Sequence, residues 1–275
     1  MKNGIIVVNK DINMTSRDVV NKLTSLFGTK RIGHTGTLDP LATGVLVVCI
    51  NKYTKLVDII TSEYKEYVAT IKLGIETDTI DITGNVLKSE CPKVLETSFI
   101  DDTLKLFLGR SIQEVPIFSA IHVNGKRLYE YARNNIKVDL PKREVDIKEI
   151  ELLEYKNDEI KFRCVVSKGT YIRSLIKDIC NKLGVLGTMS SLVRTKQGNF
   201  FIENSYTLDD INCGNYELLD IEDVLDIEVI DCDLELLKMV KNGVKLESYS
   251  KYRLFMYNNE RISLYDKFGK LLILF

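Results

Sequence analysis

Gly33-His34-Thr35-Gly36-Thr37-Leu38-Asp39-Pro40-Leu41-Ala42-Thr43-Gly44 runs directly into an apolar stretch, Val45-Leu46-Val47-Val48-Cys49-Ile50. Glycine admits φ > 0 and lets a ligand approach the backbone closely. Pro40 fixes its own φ and biases Asp39 toward extended geometry. Asp39 is therefore expected on a stiff, non-helical turn at the mouth of a buried strand. A single carboxylate placed this way is a candidate nucleophile or base. Asp-Pro among glycines is also ordinary turn chemistry. The crowding of His34, Thr35 and Asp39 into one loop tips the reading toward chemistry.

The chain around this loop has 275 residues, enough for one large domain or a large one plus a small one. Apolar content of 45% predicts an ordinary packed core. The N-terminal apolar run, residues 5–8, is too short for a signal peptide, and no run approaches a membrane span. The six cysteines (49, 91, 164, 180, 213 and 232) form no Cys-x-x-Cys pair. They are read as reduced thiols of a cytoplasmic protein. The two histidines, His34 and His122, do not neighbour a cysteine, which argues against zinc.

Net charge is −1, which at first argues against a nucleic-acid binder. The charge is uneven. Residues 201–237 carry twelve carboxylates and no Lys or Arg, so the rest of the chain holds +11. A positive body of that size is suited to phosphates; the alternative is a solvated acidic face.

Along the chain, residues 5–8 read as a buried strand. Thr15 or Ser16 caps a helix over residues 17–27 with Val19, Val20, Leu23 and Leu26 on one face. Lys30 and Arg31 then stand beside the Asp39 loop, as phosphate contacts or as cations at a helix end. A short helix is expected over residues 54–60 and an alternating strand over 65–74. Residues 79–90 superficially fit a calcium loop, but Asp78 and Asp81 are better read as shaping a turn. Thr97 or Ser98 caps a helix through Leu108 that Gly109 ends. Asn124-Gly125 marks a turn, and Lys126-Arg127 leads a helix. Residues 145–155 and 159–166 form a hairpin, and a helix from Gly169-Thr170 reaches Leu183. Arg173 in its first turn is unusual, because a helix N-terminus already carries positive charge; an anionic partner is expected nearby. The acidic stretch holds a short helix at 221–225 and then a boundary. The tail has a helix over 234–242 and strands at 253–257 and 271–275.

The twelve residues 33–44 resemble the catalytic motif of the TruB-type tRNA pseudouridine synthases, GHTGxLDPxATG. Lys65-Glu66-Tyr67 is similar to the family's Lys-x-Tyr, Ser167-Lys168-Gly169-Thr170-Tyr171-Ile172-Arg173 to its S-K-G-T-Y-I-R, and Leu192-Val193-Arg194 to its Leu-x-Arg strand. Residues 115–133 resemble a further segment, with Val115 in place of a proline and His122 in place of a lysine; Asp11 after Lys10 also departs from the family's Lys-Pro.

The resemblance spans about residues 4–200. It implies an α/β fold of the α+β type: the pseudouridine-synthase fold, a mixed, largely antiparallel sheet with flanking helices. It further implies a catalytic domain over 1–230 and a short PUA-like β domain over 231–275, whose Lys241, Lys245, Lys251 and Arg253 are candidate RNA contacts. The implied function is isomerisation of uridine to pseudouridine at position 55 in the T loop of tRNA. Asp39, Tyr67 and Arg173 are then catalytic, with Arg173 pairing Asp39. Lys10, His34, Thr35, Gly36, Tyr171, Leu192 and Arg194 bind substrate. The expected partner is the tRNA T stem-loop, with no membrane, no metal, no cofactor and a monomeric state. Three rival readings stand beside it: an aspartyl-phosphate phosphotransferase, a non-catalytic RNA-binding protein, and a guide-RNA-dependent relative acting on ribosomal RNA.

Overall fold

The computed structural model describes residues 2–134 and 136–275. Its elements run β1 (Gly4–Lys10), α1 (Ser16–Phe27), β2 (Ile32–His34), β3 (Thr43–Ile50), a 3-10 turn (Asn51–Leu56), α2 (Val57–Thr61) and β4 (Lys65–Leu73). Next come β5 (Ile75–Thr77), β6 (Val86–Ser89), α3 (Thr97–Lys105), β7 (Gly109–Glu114), β8 (His122–Val123), β9 (Lys126–Arg127) and α4 (Leu128–Arg133). Then follow β10 (Lys142–Lys156), β11 (Glu159–Val166), α5 (Ile172–Leu183), β12 (Gly187–Gln197), β13 (Phe200–Phe201) and α6 (Leu208–Asn212). The chain ends with β14 (Ile227–Asp231), α7 (Leu234–Lys241), β15 (Tyr252–Tyr257), β16 (Glu260–Tyr265) and β17 (Leu271–Leu274).

A nine-stranded sheet forms the centre, ordered β1-β3-β12-β4-β11-β10-β7, with β2 on β3 and β13 on β12. Every pairing is antiparallel except β3 with β12. The mixed, largely antiparallel α+β architecture expected from the resemblance is the one observed.

Strands β1 and β3 lack polar alternation because both their faces are covered. Ile6, Val8, Leu46 and Val48 enter the core beneath α1, α3 and α5. Ile5, Val7, Val45 and Val47 enter a second core with Leu254, Leu264 and Ile273 of the C-terminal strands. Those strands form a four-stranded sheet, β14-β15-β16-β17, with β14 parallel to β15. The sheet thus begins at Ile227, within the acidic stretch and ahead of the boundary expected at 230/231.

The acidic stretch is the tail's counter-charge. Asp220 and Glu222 pair with Arg261 at 2.8 and 2.7 Å, Asp226 with Lys251 at 2.9 Å, and Glu228 with Arg253 at 2.8 Å. Arg253 also lies 3.3 Å from the Tyr249 ring centroid. Two of the four tail cations offered as candidate RNA contacts, Lys251 and Arg253, are therefore engaged within the protein.

Several local expectations shift. Thr15 caps α1 in a reciprocal box with Asp18, and Gly28 closes it in the left-handed region. Leu26, expected on the buried face, is 41% exposed. Helix α3 starts after Glu96 without a side-chain cap and stops at Lys105. Residues 221–225 form turns closed by hydrogen bonds onto the Ile221 carbonyl rather than a helix. Tyr171 is the N-cap of α5, so Arg173 is its second helical residue. The strands β5, β6, β7, β14 and β16 and helix α6 have no counterpart in the sequence reading.

Candidate active site

The Asp39 loop is clamped from several sides. Leu38 N–H donates to Ser16 Oγ at the start of α1, at 2.9 Å. Ala42 N–H donates to the Asp39 carbonyl, and Asn13 N–H to the Pro40 carbonyl, at 3.0 and 2.8 Å. From β12, Arg194 Nε donates to the Val45 carbonyl at 2.6 Å and Nη2 to the Gly36 carbonyl at 3.1 Å. Gln197 Nε2 donates to Thr35 Oγ1 at 2.7 Å. The parallel pairing of β3 with β12 brings the Arg194 carbonyl so near Gly44 that a Cβ there would lie 2.3 Å from it; Gly44 has φ of 96°. Only glycine permits that approach.

Asp39 opens onto a cavity of about 300 Å³. Period-2 alternation puts Lys65 and Tyr67 of β4 on one face with Leu192 and Arg194 of β12, since Ala69 pairs with Leu192 and Tyr67 with Arg194. The first turn of α5 supplies Tyr171 and Arg173. Gln113 of β7 fixes Tyr171 at both backbone groups: Oε1 accepts from its N–H at 2.8 Å, and Nε2 donates to its carbonyl at 3.1 Å. Gly36, Asp39, Tyr67, Tyr171, Leu192, Arg173 and Arg194 all line this one cavity.

Arg173 Nε lies 2.8 Å from Asp39 Oδ2. The Nε–H is not aligned on that oxygen, so the contact is a close ion pair rather than a directed hydrogen bond. Arg173 Nη1 donates to the Thr79 carbonyl at 3.1 Å and Nη2 to the Phe118 carbonyl at 2.9 Å. The loop that offers Thr79 is shaped by Asp78 and Asp81, as the sequence led one to expect. Asp78 Oδ1 accepts from Asn85 N–H, and Asp81 Oδ1 from Thr83 N–H.

Three predicted substrate contacts do not line the cavity. Lys10 is fully buried and donates to the carbonyls of Asp11, Met14 and Pro40 at 2.9, 2.6 and 3.4 Å. It ties the end of β1 to the Asp39 loop. Thr35 is also fully buried and faces Gln197. His34 sits half-buried at the end of β2, its Nδ1 accepting from Gly36 N–H at 3.4 Å.

The cavity wall is cationic. Arg194 is 1% exposed and meets only carbonyl oxygens. Lys65 is 7% exposed and donates to the carbonyls of Thr61 and Glu63. Burial pushes the Lys65 amine down to about 8, helped by Arg194 and opposed by Glu63. Burial likewise lowers Lys10 to about 8 against the pull of Asp11 and Asp39. Burial, then Arg194 and Arg17, lower the His34 imidazole from its ordinary value, against the pull of its bond to Gly36. Lys168 stands exposed at the rim. One carboxylate facing the four cations Lys65, Lys168, Arg173 and Arg194 makes a cavity suited to a polyanionic ligand. Ser119, Thr61 and Lys168 join the lining, and Ser16, Gln113 and Gln197 hold it; none of them was among the site residues expected from the sequence.

The family described as "TruB family pseudouridylate synthase (N terminal domain)" matches residues 24–172. A curated relative, tRNA pseudouridine synthase B of Clostridium tetani, is 47% identical over 249 residues, 89% of this chain and 86% of its own. The protein of the same name from Mesoplasma florum is 39% identical over 273 residues, 97% of this chain and 94% of its own. Among solved structures, a Cbf5-Nop10-Gar1 complex gives a TM-score of 0.68 at 27% identity, covering 96% of this chain and 78% of that one. An H/ACA RNP bound to a substrate RNA containing 2'-deoxyuridine gives 0.68 at 25%, covering 98% and 83%. Similarity of this extent, running through the aspartate loop, makes the chain a member of the TruB family of pseudouridylate synthases.

Proposed function

We propose that this chain isomerises uridine to pseudouridine at position 55 in the T loop of tRNA, with Asp39 as the essential carboxylate. The observation that carries the reading is the Asp39–Arg173 pair, 2.8 Å apart, at a cavity sized for one nucleoside. A stacked base reaches such a cavity only by flipping, at a few kcal/mol of unstacking. Contact with an aromatic ring offsets about 1–3 kcal/mol of that per base, and Tyr67 is the candidate platform.

Asp39 acts as nucleophile or base at the ribose or the uracil. The N1–C1′ bond breaks, the base rotates, and a C5–C1′ bond forms. The proton leaving C5 is balanced by one arriving at N1, so no redox or phosphoryl co-reactant enters. Tyr67 is the candidate acceptor of the C5 proton. Arg173 pairs with Asp39 and orients it. Tyr171, Leu192, Arg194 and Gly36 shape the pocket, while Lys10, His34 and Thr35 support the loop from behind. The exposed Lys168, Arg127 and Arg133 suit backbone phosphates. The C-terminal sheet is taken as a reduced PUA-like unit, docked by its ion pairs and contributing shape more than charge. The enzyme is taken to work as a cytoplasmic monomer; among the described residues no helix is long and apolar enough to cross a membrane.

Action as a guide-dependent enzyme is the second reading, favoured by the likeness to the H/ACA structures. Identity is 25–27% there against 39–47% for the tRNA enzymes quoted above. The deciding experiment is tritium release from tRNA transcripts labelled at uridine C5, with wild type and Asp39→Asn, in EDTA and without guide RNA. Release by wild type alone, mapping to the T-loop uridine, is expected. No release, with both proteins still binding tRNA, would overturn the tRNA reading and leave the guide-dependent enzyme, which a guide RNA would switch on, or an RNA-binding protein, which it would not.

A further inference from the structure

We propose that the Ser119 hydroxyl hydrogen-bonds the polar edge of the flipped uracil. This rests on the reading that the cavity receives the target base. Ser119 is 7% exposed, and its Oγ is buried without a hydrogen-bond partner among the described residues. A buried hydroxyl left unpaired costs about 1–3 kcal/mol, so native proteins rarely keep one without a use. Ser119 lines the same cavity as Asp39, Tyr67 and Arg173. The Tyr171 hydroxyl is near enough for Ser119 to lower that phenol's pKa, although burial dominates and raises it; no aligned bond joins the two.

The backbone on either side of this hydroxyl is pinned. The Phe118 carbonyl accepts from Arg173 Nη2 at 2.9 Å. The Ser119 carbonyl accepts from Tyr129 N–H at 3.1 Å, and the Ile121 carbonyl from Leu128 N–H at 2.8 Å. The Ser119 backbone is therefore held in place before substrate arrives, which leaves the hydroxyl a choice of few rotamers when it meets a seated base. Uracil offers two carbonyl acceptors and one N–H donor along its edge, and a serine hydroxyl can serve either role. Such a bond satisfies in the complex what is unsatisfied in the free protein.

The test is a double cycle in the Asp39→Asn protein, so that turnover does not intervene. Ser119→Ala is combined with two T stem-loop RNAs, one with uridine at the target position and one abasic there. Ser119→Ala is expected to weaken binding of the uridine RNA about 5- to 30-fold, the loss of one neutral hydrogen bond, and to leave the abasic RNA unchanged. Thermal melting of Ser119→Ala is expected to be no lower than its parent, because an unpaired polar atom has been removed. Equal weakening of both RNAs, or of neither, overturns the proposal. If Asp39→Asn with Ser119 intact does not distinguish the two RNAs, the base does not enter the cavity, and the functional reading falls as well.

Discussion

Arg173 neutralises Asp39 without immobilising it. Its Nε sits 2.8 Å from Asp39 Oδ2, while both terminal nitrogens are spent on the carbonyls of Thr79 and Phe118. The guanidinium is fixed by backbone, and the carboxylate keeps its other oxygen for chemistry. Lysine cannot hold two carbonyls and one carboxylate in that planar fork. Arg173→Lys is therefore expected to lower kcat about 100-fold, the cost of a displacement near 1 Å, with a smaller change in KM. Single-turnover tritium release would measure it, and unchanged kcat would refute the geometry.

Lys10 is expected to behave as a pillar. All three of its N–H groups reach carbonyls, one of them that of Pro40 beside Asp39. Lys10→Met leaves those carbonyls without a donor and should destabilise the fold by about 1–3 kcal/mol, with KM for RNA within about twofold of wild type. A large rise in KM with unchanged melting would mean that Lys10 touches substrate after all.

The difference between these two residues marks how far the sequence could be read. The Asp39 loop, α1, α5, β4 and β11 were legible from motif density and period-2 or 3.6 patterning, β1 and β3 from unbroken apolar runs, and β12 from its resemblance to the family's Leu-x-Arg strand. Strand β6 was not, since all four of its residues are exposed and nothing alternates. Strand β7 was not either: Gly109-Arg110-Ser111-Ile112-Gln113-Glu114 buries only Gln113. Its Ile112 points outward at 65% exposure. The same gap explains the site. A motif names Lys10 and Thr35 but cannot say that their polar atoms turn inward to partners up to 162 residues away. Gln113, Ser16 and Gln197 act only through such distant bonds, so no local pattern flags them.

The tail and α4 should differ in salt dependence. Arg253 is paired with Glu228 and stacked on Tyr249, whereas Arg133 is exposed over the Tyr129 ring. Arg133→Ala should reduce the slope of log K against log salt for T stem-loop binding by just under one unit. Arg253→Ala should leave it unchanged. Fluorescence anisotropy across a salt series separates them, and equal slopes for the two variants would place the tail's cations on RNA.

Stability and activity should diverge above neutrality. Lys10 and Lys65 lose their protons at about pH 8 in the folded chain, against an ordinary value of 10.5 when unfolded. Between those limits the unfolded state binds more protons, so these two groups make the folded state more stable as pH rises. Below about pH 8 both are charged and buried, and the desolvation cost is fully present. Deprotonation of Lys65 strips one positive charge from the cavity wall, leaving Arg173, Arg194 and Lys168 to face Asp39 and the RNA. The kcat/KM of the wild type should therefore fall through about pH 8, while the contribution of these groups to melting temperature rises. Lys65→Met should start from a lower kcat/KM at pH 7 and show a shallower alkaline fall, and its melting temperature should rise less with pH than that of wild type. Parallel pH series of turnover and melting on both proteins test this. An alkaline limb of equal depth in Lys65→Met would move the titrating group away from Lys65.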